Sequence, residues 1–265
     1  MAKGIALLIS VNEVDPSAYG GEWDGKLRFP EADAQAIAEI ATGFEKRFLR
    51  TKEATTGAVK GEFIRAAEQL EAGDMFFVFY SGHGNTVDDD SGDEFQDSRD
   101  ESWCLYDGEL LDDEIYTLWP KFSAGVRILV MSDSCHSGSI TRDGDEDDVM
   151  KAMPDDVAKF NVLVDPDRYV RIRREVPTKS GETKARVRLI SGCQDWERSW
   201  ENKKQQHGRF TSAVLEAWGK GRSSDYDEFH RAICSAEALG GKQTPNHSVF
   251  GGPNERFDTE EPFAI

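Results

Sequence analysis

A histidine and a cysteine are the two residues of this sequence whose types and positions best suit a chemical reaction. His83 follows the apolar run MFFVFY at 75–80, and Cys135 follows the apolar run RILVMS at 127–132. A thiol becomes an effective nucleophile when a neighbouring base can accept its proton. If the fold brings these two side chains together, the pair predicts acyl transfer through a thiol nucleophile.

The two apolar runs indicate where such a pair would lie. Each run predicts a buried strand of a parallel sheet, because it is short, rich in β-branched or aromatic residues, and bounded by Gly, Ser and Asp. Ligands of parallel sheets gather outside the carboxyl ends of the strands. We therefore expect His83 and Cys135 to face one crevice at the edge of a sheet.

The rest of the chain alternates between further predicted strands and helices. Strands are predicted at 5–9, 104–106 and 186–191, and helices near 31–48, 58–70, from 112 onwards, and near 210–218 and 226–239. This order predicts an α/β fold with a mostly parallel sheet. Residues 141–185 show no packed element, although the alternation at 169–172 could form a hairpin with 187–189.

Charge and cysteine content narrow the classes of partner and compartment. The formal net charge of −18 disfavours nucleic acid and anionic membranes and attracts cationic substrates and metal ions, although it could serve solubility alone. The sequence has no apolar run of about 18 residues, and its first apolar run is too short for a signal peptide. The four cysteines form no C-x-x-C pair, which favours the cytoplasm over a disulfide framework or a zinc ribbon.

Each residue of the predicted site has a candidate role and an alternative. Cys135 taken alone would more often be a buried structural cysteine, and the Ser-Gly-His-Gly sequence at 81–84 is what favours catalysis. His136 is adjacent to the cysteine, so its side chain would point away, and His83 is the better candidate for the base. The backbone N–H groups of Gly84 and Cys135 are expected to stabilise an oxyanion.

An aspartate next to the cysteine predicts a specificity pocket. Asp133 lies two residues before Cys135, so both side chains would face the same side of an extended chain. A carboxylate at this position suits the floor of a pocket for a basic side chain. The alternative is an aspartate that caps a loop.

Several motifs occur in a characteristic order along nearly the whole chain. They are Leu7-Leu8-Ile9, Ser81-Gly82-His83-Gly84, Gly92-Asp93-Glu94, Leu111-Asp112-Asp113-Glu114, Asp133-Ser134-Cys135-His136-Ser137-Gly138, Ser191-Gly192-Cys193-Gln194-Asp195, Gly208-Arg209-Phe210-Thr211 and Gln243-Thr244-Pro245. Together they resemble the metacaspases and bacterial orthocaspases, cysteine peptidases of the caspase fold. The resemblance implies a central sheet of about six strands flanked by helices. It also implies a single domain over 1–265, with a large part (1–140), a linker (141–187) and a small part (188–265).

The same resemblance implies an activity and assigns roles to residues. It implies hydrolysis after arginine or lysine, with His83 as the general base and Cys135 as the nucleophile. The residues that match the lining of the basic pocket are Asp33, Ser81 and Asp133. The family usually has a cysteine where Pro30 stands here, and Asp33 could instead be an acid at the start of a helix.

Calcium and internal cleavage are the two forms of regulation that the resemblance raises. The chemistry requires no cofactor, but metacaspases often need calcium as an activator, whereas bacterial relatives commonly work without it. Carboxylates suit this ion, and the matching acids are Asp100, Asp112, Asp113 and, after the catalytic loop, Asp143. Candidate cleavage sites in the basic half of the linker, for the enzyme itself or an activating protease, are Arg173, Arg174 and Lys179. A solvated surface hairpin is the alternative for that segment.

The leading hypothesis is thus a cytoplasmic cysteine endopeptidase, made as a zymogen, whose partners are proteins with exposed basic residues. Members of the family act in cell death, stress responses and bacterial defence. The alternative is a caspase-like scaffold that binds partners without catalysis. A cysteine phosphatase is disfavoured because its Cys-x₅-Arg loop would need arginine where Thr141 stands. Neither nucleic acid nor a membrane is an expected partner.

Overall fold

A six-stranded sheet forms the centre of the fold in the computed structural model. The structure describes residues 2–88, 99–135, 147–165, 167, 169, 171–172, 182–194 and 197–265. The described strands are β1 (Gly4–Ser10), β2 (Glu45–Arg50), β3 (Met75–Ser81), β4 (Gly84–Asp88), β5 (Arg99–Leu105), β6 (Gly108–Leu111), β7 (Arg127–Asp133), β8 (Asp148–Met150), β9 (Arg186–Ser191), β10 (Trp200–Asn202), β11 (His207–Gly208) and β12 (Asn246–Gly251).

The central sheet has the order β12-β9-β7-β3-β1-β2, and its strands are parallel except for β12, which runs antiparallel to β9 at one edge. The prediction of a mostly parallel sheet of about six strands is therefore confirmed. Two small antiparallel sheets accompany it, with the orders β4-β5-β6 and β11-β10-β8.

Helices cover both faces of the central sheet. The described α-helices are α1 (Pro30–Ile40), α2 (Thr56–Gln69), α3 (Asp112–Tyr116), α4 (Asp155–Val164), α5 (Arg209–Gly219), α6 (Tyr226–Cys234) and α7 (Glu255–Thr259), and the described 3₁₀ turns are Pro16–Ala18, Thr51–Glu53, Trp119–Lys121 and Glu237–Leu239. Side chains alternate along each strand, so Ile5 and Leu7 of β1 pack with α2 and α3 on one face. Ala6 and Leu8 pack with α1, α5 and α6 on the other face.

The prediction of one helix over 31–48 is wrong in its second half. The helix ends at Ile40, and Glu45–Arg50 forms strand β2 instead. Between them Gly43 has a φ of +84°, a left-handed conformation that turns the chain at no cost to glycine. Phe44 still packs into the same core as α1, which is why its spacing looked helical.

The region 141–185 also differs from expectation. It contains strand β8 and helix α4, so the prediction that it lacks packed elements is wrong. The prediction that 169–172 could form a hairpin with 187–189 is wrong as well, because β9 is flanked by β7 on one side and by β12 on the other. Neither edge of β9 is left to accept another strand. The division into large part, linker and small part stays a prediction.

Candidate active site

The register of two neighbouring strands places His83 and Cys135 side by side. Strands β3 and β7 are parallel partners, and Ser81 at the end of one pairs with Asp133 at the end of the other. His83 and Cys135 each lie two residues past these partners. Adjacent strands lie about 4.8 Å apart, so the predicted base and nucleophile leave the sheet at equivalent positions.

His83 is buried and has one ring nitrogen engaged. Its Nε2 lies 3.1 Å from the carbonyl oxygen of Gly25, and its ring packs edge-on against Trp23 with the ring centroids 5.0 Å apart. The Nε2–H tautomer donates this hydrogen bond and leaves Nδ1 as an acceptor. Within the described residues, Nδ1 has no hydrogen-bond partner. The imidazole is thus held in place with a proton-accepting nitrogen available.

The electrostatic surroundings of His83 keep it neutral. Burial is the largest effect and the charge of Lys151 adds to it, so the pKa of His83 falls to about 4, although the backbone of Gly25 and of Ala152 raises it. A neutral imidazole at physiological pH can accept a proton.

Cys135 is buried in a small cluster beside Ala152 and Cys193. Its Sγ accepts a hydrogen bond from the backbone N–H of Ser199 at 2.8 Å and lies 3.6 Å from the carbonyl oxygen of Glu197. The sulfur is therefore held between the end of β7 and the loop that precedes β10.

The two N–H groups predicted to stabilise an oxyanion converge on one oxygen. The N–H of Gly84 and the N–H of Cys135 both donate to the carbonyl oxygen of Lys151, at 3.0 Å and 3.2 Å. A Cβ atom on Gly84 would lie 2.1 Å from the carbonyl oxygen of Cys135, so only glycine allows this close approach. The arrangement is what polarisation of a carbonyl during acyl transfer requires.

The three predicted pocket residues surround the side chain of the same lysine. Lys151 Nζ lies 2.9 Å from Ser81 Oγ and 3.1 Å from a carboxylate oxygen of both Asp33 and Asp133. The side chains of the lysine and both aspartates are completely buried. The structure therefore brings Asp33, Ser81 and Asp133 together and places an ammonium group between them.

Charge complementarity dominates inside this pocket. Burial favours the neutral forms, but the Lys151 ammonium and hydrogen bonds from His207 and Ser81 lower the pKa of Asp33 below its ordinary value. Burial acts against the charged lysine in the same way, yet Asp133 and Asp33 raise the pKa of Lys151 above its ordinary value. The pocket is thus built to hold a cation.

Further residues orient the two carboxylates. His207 Nδ1 lies 2.9 Å from Asp33, and the N–H of Gly208 donates to the same oxygen at 3.1 Å. Asp133 accepts hydrogen bonds from Ser199 Oγ at 2.8 Å and from Thr211 Oγ1 at 2.7 Å. The motif at 208–211 was noted in the sequence, but nothing local to His207 or Ser199 indicates a contact with these acids.

Lys151 belongs to a segment that lies across the site as an extra strand. In the antiparallel pairing of β8 with β10, Met150 stands opposite Trp200. The pairing continues past the strand, because the N–H of Lys151 donates to Ser199 O at 3.0 Å and the N–H of Met153 donates to Gly84 O at 2.8 Å. Peptide ligands that add a strand to a sheet edge bind in this manner. Sequence reasoning missed Lys151, whose only local signal is an isolated basic residue after an acidic run.

The remaining predicted residues lie elsewhere. His136, the calcium candidate Asp143 and the cleavage candidates Arg173, Arg174 and Lys179 lie outside the described residues. Asp112 and Asp113 lie in the first turn of α3. Within the described part of the chain, no group of three or more His, Cys, Asp or Glu side chains could hold a metal ion. An effect of calcium stays a prediction.

Comparison with known families agrees with this geometry. The family model described as "Caspase domain" matches residues 3–250, which is nearly the whole chain. The chain belongs to the caspase family. It is therefore a caspase-family cysteine peptidase domain, and it is similar to metacaspases.

Curated relatives of this caspase-family chain include metacaspases from fungi, a plant and a diatom. It is 34% identical over 149 residues to Metacaspase-1A of Neurospora crassa, 33% over 155 residues to Metacaspase-1 of Pyricularia oryzae, and 30% over 150 residues to Metacaspase III c of Phaeodactylum tricornutum. These matches cover 51%, 52% and 51% of the chain, but only 32%, 37% and 43% of the relatives.

A solved bacterial structure matches the caspase-family chain over its full length. Protein GSU0716 from Geobacter sulfurreducens is 43% identical, has a TM-score of 0.86, and the match covers 99% of both chains. No helix in the described part of the chain is long and apolar enough to cross a membrane.

Proposed function

We propose that this peptidase domain is a cysteine endopeptidase that cleaves proteins after lysine or arginine. The observation that carries the proposal is the position of Lys151. Its side chain fills the acidic pocket while its carbonyl oxygen accepts hydrogen bonds from the N–H groups of Gly84 and Cys135. A substrate residue that precedes a cleaved bond would need the same two contacts at once.

The proposed chemistry passes through a thioester. His83 accepts the proton of the Cys135 thiol, and the sulfur attacks the carbonyl carbon of the basic residue. The N–H groups of Gly84 and Cys135 stabilise the negative charge that develops on the carbonyl oxygen. As the C–N bond breaks, the imidazolium returns its proton to the leaving amine. Water, deprotonated by His83, then releases the acyl group as a carboxylate and restores the thiol.

The pocket chemistry supports specificity for a cation rather than for an acid or an apolar residue. Two buried carboxylates, Asp33 and Asp133, face the site with one hydroxyl, Ser81. An uncharged side chain would leave like charges buried together without compensation, which is strongly unfavourable. A lysine or arginine side chain neutralises them.

We further propose that the bond between Lys151 and Ala152 is the site of internal processing. While Lys151 fills the pocket, no other basic side chain can enter it. Cleavage here would free the two chain ends and open the site to other proteins. The candidates Arg173, Arg174 and Lys179 stay predictions, as does a role in cell death, stress or defence.

The test is incubation of the purified chain, with calcium and with a chelator, followed by mass spectrometry of new termini. We expect fragments that end at Lys151 and begin at Ala152, retained in Lys151→Arg and lost in Lys151→Met and in Cys135→Ala. Fragments that still form in Cys135→Ala would show that another enzyme makes the cut. If no cut occurs under either condition and an arginyl thiol-directed inhibitor labels nothing, the scaffold alternative replaces the peptidase.

A further inference from the structure

The imidazole of His83 has an aromatic neighbour that the proposed chemistry does not use. The Trp23 ring packs edge-on against it, with the ring centroids 5.0 Å apart. The same indole lies over Gly25, because a Cβ atom on that glycine would be 3.2 Å from Trp23 Cζ2. Gly25 supplies the carbonyl oxygen that holds His83 Nε2. Trp23 therefore contacts both partners of the hydrogen bond that orients the base.

The loop that carries Trp23 is anchored by a tyrosine at its start. The Tyr19 ring packs edge-on against Trp23 with the ring centroids 5.3 Å apart, and its hydroxyl donates to the carbonyl oxygen of Leu105 at 2.7 Å. Between the two aromatic residues the chain contains Gly20 and Gly21, with φ angles of +85° and +95°. Glycine restricts the backbone least. The position of Trp23 therefore depends on the packing of side chains around the loop.

Helix α4 supports the same loop from the outside. The Phe160 ring lies on Gly20, because a Cβ atom on that glycine would be 2.6 Å from Phe160 Cδ1. Two more residues of α4 pack against the core cluster that contains Tyr19. These contacts lie on the C-terminal side of the bond between Lys151 and Ala152 and do not depend on it. We therefore expect α4 to stay in place after that bond is cleaved.

We infer that Trp23 is a positioning residue for the base His83, and that Phe160 of α4 holds Trp23 in place. This inference rests on the proposed function. Trp23 keeps the imidazole in the orientation that donates Nε2–H to Gly25 and leaves Nδ1 to accept the thiol proton. A misplacement of about 1 Å is enough to cost on the order of 10²-fold in rate. Helix α4 is thus a working part of the enzyme beyond the cleaved bond.

The indole also keeps water away from the imidazole. Burial is the largest cause of the lowered pKa of His83, and removal of the indole would admit water beside the ring and raise that pKa. The substitution Trp23→Ala leaves the surrounding titratable groups in place. On the elements around His83 these include Lys151, Tyr80, Cys104 and Cys135, and on the loop itself the pair Asp24 and Lys26.

The first measurement needs no turnover. In a Cys135→Ala background, ¹⁵N NMR of the His83 ring, assigned by comparison with His83→Gln, reports which nitrogen carries the proton and at what pH the ring titrates. We expect the parent to hold the Nε2–H form and to titrate near pH 4. We expect Trp23→Ala to mix the two tautomers and to titrate nearer to 6.5, and Trp23→Phe to resemble the parent. An unchanged tautomer and titration in Trp23→Ala would overturn the inference.

Turnover of a fluorogenic peptide that ends in Val-Met-Lys, by the full chain after incubation, separates positioning from binding. We expect Trp23→Ala to lower kcat by about 10- to 100-fold with little change in KM, because Trp23 contacts the base rather than the substrate pocket. Trp23→Phe should restore most of kcat. A loss that appears in KM alone would contradict a positioning role.

The part played by α4 has a matched control on the same helix. We expect Phe160→Ala to lower kcat in the same direction as Trp23→Ala but by less. Leu163→Ala is the control, because the Leu163 side chain is 78% exposed. Equal kcat values in these two α4 variants would overturn the role assigned to Phe160. If the parent turns over no peptide while the NMR changes occur as expected, the peptidase function fails and the positioning of His83 by Trp23 stands.

Discussion

The replacement Lys151→Met tests how the acidic pocket is held together. Methionine keeps most of the aliphatic volume but removes the ammonium, so Asp33 and Asp133 would face each other as buried like charges. Removing one partner of a buried ion pair costs about 3–5 kcal/mol. A domain of this size loses roughly 2–4 °C in Tm per kcal/mol, so we expect a fall of about 6–20 °C.

The pH dependence of this loss has a definite sign. Lys151 lowers the pKa of Asp33 below its ordinary value of 3.8. The stability that the ionised Asp33 gains from Lys151 is therefore fully present above pH 3.8. It disappears as the pH falls through the lowered pKa of Asp33 in the folded protein. Asp133 and Asp33 raise the pKa of Lys151 above 10.5, so its contribution is present below that pH and is lost in alkali. The melting temperature of Lys151→Met should therefore lie furthest below that of the parent near neutral pH, and the two should approach each other in acid.

Thermal unfolding of both proteins in a Cys135→Ala background, from pH 3 to pH 8, measures this difference without interference from cleavage. The control is Lys220→Met, because the Lys220 side chain is 60% exposed and pairs with Glu216 one helical turn away. We expect the control to change stability by less than about 0.5 kcal/mol. A Lys151→Met protein as stable as its parent at pH 7, with an unchanged pH profile, would refute the reasoning about the pocket.

Two further predictions concern catalysis. Gly84→Ala places a Cβ 2.1 Å from the carbonyl oxygen of Cys135, and it should reduce the rate of self-cleavage by about 10²–10³-fold because it displaces an oxyanion donor. The control is Gly57→Ala, because nothing lies within 4 Å of a Cβ at that position. Equal rates in the two variants would contradict the assignment of the Gly84 N–H as an oxyanion donor. The pKa of His83, near 4, predicts a self-cleavage rate that stays constant from pH 7 down to about pH 5 and falls only below it. A midpoint near 6.5, the ordinary histidine value, would contradict the lowered pKa that burial and Lys151 are expected to give His83.

Local sequence patterns predicted most of the central sheet. The runs that became β1, β3, β7 and β9 are short, apolar and bounded by small or polar residues, and these properties depend on near neighbours in the chain. His83, Gly84 and Cys135 follow from the same patterns, because residues after parallel strands meet at one edge. The pocket residue Asp133 followed from its spacing to Cys135, whereas Asp33 and Ser81 came from family resemblance. The structure brings all three to one lysine.

The sequence could not reveal which basic side chain fills that pocket. Lys151 lies in the acidic pocket, and Asp148 lies against Arg209, because β8 pairs with β10. This pairing joins segments about fifty residues apart along the chain. A three-residue strand carries too weak a periodicity to be recognised, and its partner is chosen only when the central sheet has positioned both. Likewise, Phe44 has helical spacing but lies beyond the end of α1, since the core accepts an apolar side chain from either kind of element. Composition and spacing were enough to predict the α/β fold and the candidate pair His83 and Cys135. Only tertiary packing decided that the protein's own lysine lies in the site, because that choice depends on long-range pairing and on the charge of two buried acids.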